Sequence, residues 1–198
     1  MRRCVYSPSK TVEESCGPLA DGVELTIVTH GQFGLGDLVE YAAEEVGPCS
    51  LLVSSWSMGH GDVKRFSSML KAAVITDILV VCDRGLPARH PKYAADIESA
   101  FGLDRVRVSR LKANFAVVRG SFDVVVRGSS GFARSRGVDL YDLDCSADMA
   151  SFISGSVEQL TGGLPHGWAT TPEVDAALRP VKAVGPRPVK FDASRLRF

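Results

Sequence analysis

Side chains that can bind phosphate are concentrated in one short segment of the chain, residues 110–132. The segment reads R-L-K-A-N-F-A-V-V-R-G-S-F-D-V-V-V-R-G-S-S-G-F, with Lys112 and Asn114 two residues apart and Gly128-Ser129-Ser130-Gly131 close behind. An ammonium group, a carboxamide, hydroxyls and unblocked backbone amides all bind phosphoryl oxygens. The segment therefore indicates an anion site, and a phosphodiester is the ligand class that it favours. The residues that we expect to contact phosphate are Lys112, Asn114, Arg119, Arg127, Ser129 and Ser130.

The elements that position this segment follow from the hydrophobic pattern. Within it, residues 111–119 and 122–127 predict two strands joined by a short turn. Upstream, apolar strands alternate with amphipathic helices of about a dozen residues, which is typical of βαβ units on a largely parallel sheet. The predicted strands are 23–29, 49–56, 76–82 and 105–109, and the predicted helices are 36–46, 61–73 and 91–101. Downstream, the alternating V-D-L-Y-D-L-D at 138–144 predicts a half-exposed edge strand, and 148–160 predicts a last helix. The expected fold is a three-layer α/β/α arrangement with a mixed, mostly parallel sheet.

Each of the first three predicted strands is followed by a histidine: His30, His60 and His90. Ligands in open α/β sheets bind at the carboxyl ends of parallel strands, so all three loops are expected at one edge. His30 is the best candidate for a catalytic residue because it lies between an apolar strand and a glycine-rich helix start. That start, G-Q-F-G-L-G-D, has the wrong spacing for a dinucleotide fingerprint. The sequence predicts no cofactor and no metal site.

The formal net charge is zero, but the charges are segregated along the chain. Residues 105–136 contain eight Lys and Arg residues and one acid, and residues 179–198 contain six and one, whereas residues 137–178 contain seven acids and no Lys or Arg. A basic band of this kind favours nucleic acid or another polyanion as a partner. Its alternative partner is the acidic segment of a second copy, which would give a homo-oligomer. The phenylalanines of the band, Phe115, Phe122 and Phe132, are expected in the core, so base stacking by these rings is not predicted.

The composition bounds the class of protein. With 198 residues and 45% hydrophobic residues, the chain can bury one substantial core, and no apolar run approaches the length of a membrane span. The first residues lack the apolar block of a secretory signal, so we expect a cytoplasmic protein with no membrane partner. The five cysteines are widely spaced, which favours reduced thiols, with a Cys4–Cys16 disulfide as the alternative.

Three regions are predicted along the chain. Residues 1–22 read as an irregular leader, residues 23–163 as the α/β domain, and residues 164–198 as an extended basic tail that is rich in proline. In the tail, Arg-Pro-Val-Lys at 179–182 recurs at 187–190. Two interpretations of the tail remain open, a docking strap for a nucleic acid or protein and a solvated terminus.

The predicted hairpin resembles the catalytic hairpin of the phospholipase D superfamily, in which one strand carries His-x-Lys and the next loop carries Gly-Ser-x-Asn. The resemblance covers about residues 23–160 and is closest to the short, single-motif proteins of phages and prophages. It places Lys112 at the position of the nucleophilic histidine, Asn114 at that of the lysine, Ser129 at that of the loop serine and Gly131 at that of the asparagine. Lysine at neutral pH is an ammonium without a lone pair, so Lys112 is a poor nucleophile.

The resemblance therefore implies a phosphodiesterase fold with a degenerate motif. We expect a catalytically degenerate protein, associated with a phage or prophage and located in the host cytoplasm or the virion. It would bind a phosphate-bearing ligand or nucleic acid, or serve as an assembly component beside phage structural proteins. The alternative is an active phosphodiesterase or nuclease in which His30 has taken over catalysis.

Overall fold

The computed structural model describes residues 1–7, 10–132, 137–162, 164 and 166–168, and these form one eight-stranded sheet with helices on both faces. The strands are β1 (Arg2–Ser7), β2 (Glu24–Thr29), β3 (Cys49–Ser55), β4 (Ile75–Asp83), β5 (Val106–Ser109), β6 (Phe115–Arg119), β7 (Asp123–Gly128) and β8 (Asp139–Asp144). The α-helices are α1 (Val12–Cys16), α2 (Leu35–Val46), α3 (His60–Lys71), α4 (Leu86–Arg89), α5 (Pro91–Phe101) and α6 (Ala147–Thr161). A single 3₁₀ turn, Leu103–Arg105, precedes β5.

The sheet has the order β1-β2-β8-β7-β6-β3-β4-β5 in the described residues. Six of its strands run in one direction, and β6 and β8 run in the other. Because those two strands alternate with the others, four of the seven pairings are antiparallel. The mixed three-layer α/β/α fold is thus confirmed. The sheet is less parallel than expected, because only three of its seven pairings are parallel although six strands share one direction.

The two faces of the sheet are covered differently. On the first face, strand residues such as Leu25, Val53 and Val118 share one core with Leu38 of α2 and Phe66 of α3. On the second face, Val81, Val117 and Val125 pack against Ala150 and Val157 of α6. Farther along that second face, Tyr6 of β1 and Leu140 of β8 are exposed.

The helices and strands of residues 23–127 lie within a few residues of their predicted bounds, and α5 begins at Pro91 as predicted. The strand predicted for 111–119 begins only at Phe115. In the α6 region, Ser146 caps the helix by accepting a hydrogen bond from Met149 N at 3.3 Å.

The prediction of an edge strand at 138–144 is wrong. β8 lies inside the sheet, antiparallel to both β2 and β7. Its alternation arises because Tyr141 and Leu143 face the first core while Leu140 on the other side is exposed. The alternating pattern therefore indicates a strand with one buried and one exposed face, and such a strand can lie inside the sheet.

The irregular leader predicted for residues 1–22 is also corrected within its described part. Residues 2–7 form β1, which pairs in parallel with β2 and is the true edge of the sheet. Residues 12–16 form α1, which has a capping box: Thr11 Oγ1 accepts from Glu14 N, and Glu14 Oε2 accepts from Thr11 N at 2.9 Å. A short edge strand with two arginines carries little apolar signal, so sequence reasoning passed over it.

The opposite edge involves the first residues assigned to the tail. Gly167 N donates to Val106 O at 2.9 Å, and Leu164 and Trp168 pack against Val108 of β5. The described structure therefore extends beyond the predicted boundary at residue 163. Residues 169–198, with both Arg-Pro-Val-Lys repeats, lie outside the described residues.

The cysteines are free thiols, so the Cys4–Cys16 disulfide is not formed. Phe115 and Phe132 are buried, and Phe122 packs against the core, as predicted. Within the ranges that the structure describes, no helix has the length and apolar character needed to cross a bilayer.

Candidate functional site

One edge of the sheet gathers most of the residues that the sequence singled out. At this edge, which we call the upper edge, β1, β2, β3, β4, β5 and β7 end and β6 and β8 begin. The residues placed there include His30, Trp56, Asn114, Ser129 and Asp139. The upper edge is therefore where the topology allows side chains from separate parts of the chain to meet a ligand.

Asn114 connects the start of β6 to the end of β3. Its Oδ1 lies 3.3 Å from the hydroxyl of buried Ser55 and 3.4 Å from the backbone amide of Trp56, both of which donate to it. A Cβ atom added to Gly131 would lie 3.2 Å from the same oxygen, so Asn114 and the end of the loop are in close contact. The structure thus brings together two of the positions that correspond to the family motif.

Lys112 lies beside the indole ring of Trp56. Its Nζ is 5.4 Å from the ring centroid, and Arg89 Cζ is 5.2 Å from the same centroid. Arg89 is also anchored by Asp83, whose Oδ1 accepts from Arg89 Nη1 at 2.7 Å. Both distances are within the range of cation–π interactions, so the exposed indole is held next to two positive charges.

The Gly-Ser-Ser-Gly loop is attached to β8. Ser129 N donates to Leu140 O at 3.0 Å, and Leu140 N donates to Ser129 Oγ at 3.1 Å, which extends the ladder between β7 and β8. Ser130 Oγ is 2.9 Å from the phenolic oxygen of buried Tyr141. Ser129 therefore contacts β8 while Lys112 contacts Trp56 after β3, and these two side chains turn to opposite sides of the hairpin.

A buried polar cluster lies beside the loop. Thr29 and Asp139 oppose each other across β2 and β8, with 0% and 5% of their surfaces exposed. Within the described residues, Thr29 Oγ1 and Asp139 Oδ2 have no hydrogen-bond partner, which leaves a donor and an acceptor that a bound group can satisfy. Burial raises the pKa of Tyr141 to about 12, so the phenol beside this cluster keeps its proton at neutral pH.

The three histidines follow their strands as predicted, and each contacts a local partner. His30 Nε2 is 2.8 Å from the hydroxyl of Tyr6. His60 Nδ1 is 3.1 Å from Asp96 Oδ2 of α5, and His90 stacks on Tyr93 with ring centroids 5.3 Å apart. By strand order His30 and His60 are equally near the loop, because β8 alone separates β2 from β7 and β6 alone separates β3 from β7, whereas His90 follows the more distant β4.

The structure does not bring Arg119 and Arg127 to the upper edge with Lys112. Arg119 ends β6 and pairs with Asp123 at 2.6 Å, about 17 Å along the strand from Asn114. Arg127 lies nearer to the edge, but its guanidinium is 3.9 Å from Asp144. Strand alternation places it on the opposite face from Gly128, which contacts Tyr141. Arg119 and Arg127 were grouped with Lys112 because they are close to it in the sequence. Distance along β6 separates Arg119 from Lys112, and strand alternation turns Arg127 to the other face of the sheet.

Sequence reasoning missed Trp56, Arg89 and Asp139 as members of this edge. Trp56 was counted as the last residue of an apolar strand, although a tryptophan at a strand end next to Ser-Met-Gly is a position where an aromatic side chain can be exposed. Asp139 was counted as an outward-facing acid of an edge strand. No sequence signal placed Arg89 next to Trp56, because that contact depends on how α4 follows β4.

Comparison with solved structures assigns this α/β/α architecture to the phospholipase D-like fold. A solved structure with this architecture is Nuc from Salmonella typhimurium, a phospholipase D family member. The two superimpose with a TM-score of 0.51 and 14% sequence identity, over 69% of this chain and 93% of Nuc. This likeness establishes the fold. No family model and no curated protein matches the sequence.

Proposed function

We propose that the upper edge binds the phosphate group of a nucleic acid or another phosphodiester-bearing ligand, and that the chain is a catalytically degenerate protein of the phospholipase D type. The observation that carries the proposal is that Lys112 and Asn114 both lie at the end of β3, where Asn114 also contacts Gly131 of the loop. The Ser129 side chain turns to β8, so Ser129 is left out of this group. In the fold shared with Nuc, the resemblance assigns these positions to phosphoryl contacts. Lys112 supplies a positive charge. In the loop, the amides of Gly128 and Ser129 are bonded to Asn114 O and Leu140 O, whereas the Ser129 hydroxyl acts as an acceptor there and keeps its proton to donate.

Loss of turnover follows from the groups that occupy the motif. An ammonium cannot attack phosphorus, and the Asn114 carboxamide oxygen is held by Ser55 and Trp56. Losing the nucleophile costs several orders of magnitude in rate, whereas charge attraction for the phosphate persists. The proposal is therefore an anion-binding site without the covalent step.

Binding is tested with a fluorescein-labelled oligonucleotide in an anisotropy titration at several salt concentrations. We expect Lys112→Ala to weaken binding and to reduce the salt slope by about one phosphate contact. Lys71→Ala is the matched control, because Lys71 is an exposed lysine in the last turn of α3. Equal effects of the two substitutions, or binding that does not weaken with salt, would contradict a phosphate site at Lys112.

Turnover is tested with an activated phosphodiester such as bis(p-nitrophenyl) phosphate between about pH 5 and 8. We expect no release of nitrophenolate above that of a boiled sample. Steady release that is proportional to protein concentration would overturn the assignment of a degenerate site.

His30 supports the alternative, an active phosphodiesterase or nuclease. Neighbouring strands lie about 4.8 Å apart, so the ends of β2 and β7 are about 10 Å apart, and a side chain and a ligand can span that gap. The Tyr6 hydroxyl orients the His30 imidazole, and the buried Thr29 and Asp139 lie between. Activity without added metal that disappears in His30→Ala and survives in His90→Ala would establish this alternative.

We also propose that the chain works in a phage or prophage setting in the host cytoplasm or virion, as an assembly component or a homo-oligomer. The resemblance to short single-motif proteins supports the setting, and the segregated charges support self-association. The neighbouring genes test the setting, and light scattering at low salt tests the oligomer. A monomer at high concentration and low salt would exclude the homo-oligomer.

A further inference from the structure

An exposed indole at the upper edge is not accounted for by the core. Trp56 follows directly after β3 and keeps 44% of its surface exposed, although it lies among residues that are mostly buried. Its backbone amide is fixed by Asn114, so the position of the residue is well defined even though its ring meets solvent. A large aromatic ring that is already fixed in place loses little conformational entropy when a ligand binds to it, so it is a favourable contact surface.

The surroundings of the ring select the chemistry of the ligand. Lys112 and Arg89 lie 5.4 and 5.2 Å from the ring centroid, and Asp83 neutralises part of the charge of Arg89. The Lys112 side chain is exposed and unbranched, so its ammonium can swing from the ring toward a phosphate. An aromatic surface flanked by movable cations is the arrangement that binds single-stranded nucleic acids.

The spacing along the edge fits a base and its phosphate. β7, β6 and β3 are neighbours, so the ends of β7 and β3 are about 10 Å apart, and Lys112 precedes the strand between them. A phosphate beside Lys112 and Asn114 therefore places an adjoining base within reach of the indole. Duplex bases are already stacked on one another and cannot offer a face to the ring.

We propose that Trp56 is a base-stacking residue and that the ligand of the upper edge is single-stranded nucleic acid. The proposal rests on the proposed function, since it takes the phosphate at Lys112 as given and adds the base. It departs from the sequence-based expectation of no base stacking: the phenylalanines of the basic band are in the core as expected, and the ring proposed to stack is that of Trp56, directly after β3.

The test compares a single-stranded oligonucleotide of about ten nucleotides with an abasic strand of the same length. We expect the wild type to bind the normal strand about tenfold more tightly than the abasic strand. Trp56→Leu should lose most of that preference, and Trp56→Phe should keep most of it. Phe152→Leu is the matched control, because Phe152 is an aromatic residue on α6 with 71% exposure.

Tryptophan emission gives a second readout that does not depend on the stability of Trp56→Leu. Stacking of a base on Trp56 should quench emission of the wild type on addition of the normal strand, and the quench should be absent in Trp56→Phe. Trp168, whose indole nitrogen is buried, should report little change.

The outcomes separate the two proposals. No binding of either strand by the wild type would remove the proposed function itself. Equal binding of both strands, with no effect of Trp56→Leu, would leave the phosphate site standing and overturn the stacking role. Tighter binding of a duplex than of the single strand would overturn it too. The stacking role would also be overturned if Trp56→Leu weakened binding to phosphatidylserine vesicles but left oligonucleotide binding unchanged.

Discussion

At the scale of single residues, Asn114 shows how one side chain joins two strands at the upper edge. A lysine at this position would project a charge toward a phosphate, whereas the asparagine ties the start of β6 to the end of β3 through Ser55 and Trp56. The position has become part of the scaffold that holds the edge. Asn114 therefore stabilises the upper edge through its contacts with two consecutive residues of the chain.

We expect Asn114→Ala to lower the free energy of unfolding by about 1 kcal/mol, because the backbone amide of Trp56 loses its acceptor, whereas the Ser55 hydroxyl keeps Ser57 O at 2.7 Å. Asn114→Asp keeps the acceptor oxygen and adds a negative charge near Lys112. It should unfold at nearly the wild-type denaturant concentration and bind oligonucleotides more weakly. Urea unfolding and anisotropy measure the two effects, and an equal loss of stability in both variants would contradict the role of the oxygen.

The cysteines give a second prediction at this scale. Burial raises the pKa of the thiols of Cys16 and Cys82 to about 12 and of Cys49 and Cys145 to about 11, while Cys4 is exposed on β1. Because only the thiolate reacts, a thiol reagent at about pH 8 should label one cysteine per native chain and all five after unfolding. Mass spectrometry of the labelled peptides checks this, with Cys4→Ser as the control. Rapid labelling of Cys82 in the native protein would contradict its burial.

At the scale of elements, the sequence predicts helices and strands well where the spacing of the apolar residues is regular. The central strands are apolar, and helices such as α2 and α5 end at glycines. The sequence therefore predicted the bounds of these elements to within a few residues of those in the structure. The hairpin and its loop were also found. β1 was missed because its sequence is short and charged. β8 was placed at an edge because an alternating apolar and polar sequence shows that one face of a strand is buried, but does not show how many strands pair with it.

The candidate site was predictable only in part, for a related reason. Sequence spacing placed Lys112, Asn114 and the loop together because a hairpin is local. Contacts such as those of Trp56 with Arg89, or of Thr29 with Asp139, join residues that are far apart along the chain and depend on the strand order. The pleat also decides which face a side chain takes, and it moved Arg127 to the other face of the sheet from the loop.

The turn of the hairpin gives the prediction for this scale. Gly120 lies against the end of α2, where an added Cβ would be 2.6 Å from Val46 Cγ2 and 2.7 Å from Val46 O. Ser121 N also donates to Val46 O at 2.9 Å, so the turn cannot withdraw without losing that bond. Gly120→Ala should therefore destabilise the protein by about 1–3 kcal/mol.

Gly155→Ala is the matched control, because an added Cβ at this α6 position meets no atom within 4 Å. Alanine is the better helix former, so this variant should be stabilised by up to about 1 kcal/mol. Thermal or urea unfolding of both variants measures the difference. A Gly120→Ala protein as stable as the wild type would show that the turn is not seated on α2.

At the scale of the whole molecule, the neutral total conceals a division of charge along the sequence that the fold partly cancels. Lys112 lies at the upper edge, Arg119 and Arg127 are paired with Asp123 and Asp144, and the acidic β8 runs through the interior of the sheet. Part of the basic band is thus neutralised internally. The charge left to attract a long polyanion is then divided between the upper edge and the six basic residues of 179–198.

Deletion of residues 169–198 tests whether that second group takes part in binding. The cut follows Trp168 because Leu164 and Trp168 pack against β5, so we expect the shortened protein to unfold at an unchanged denaturant concentration. Each phosphate contact to a single strand contributes about 0.7 to the slope of log K against log salt, so loss of up to six contacts should lower the slope by up to about 4. A full-length variant with those six basic residues changed to glutamine separates charge from length and should match the deletion. A strap that contacts the phosphates of the nucleic acid must release counterions when it binds. An unchanged slope in both proteins would therefore show that the phosphate contacts come from the upper edge alone and that the tail is a solvated terminus.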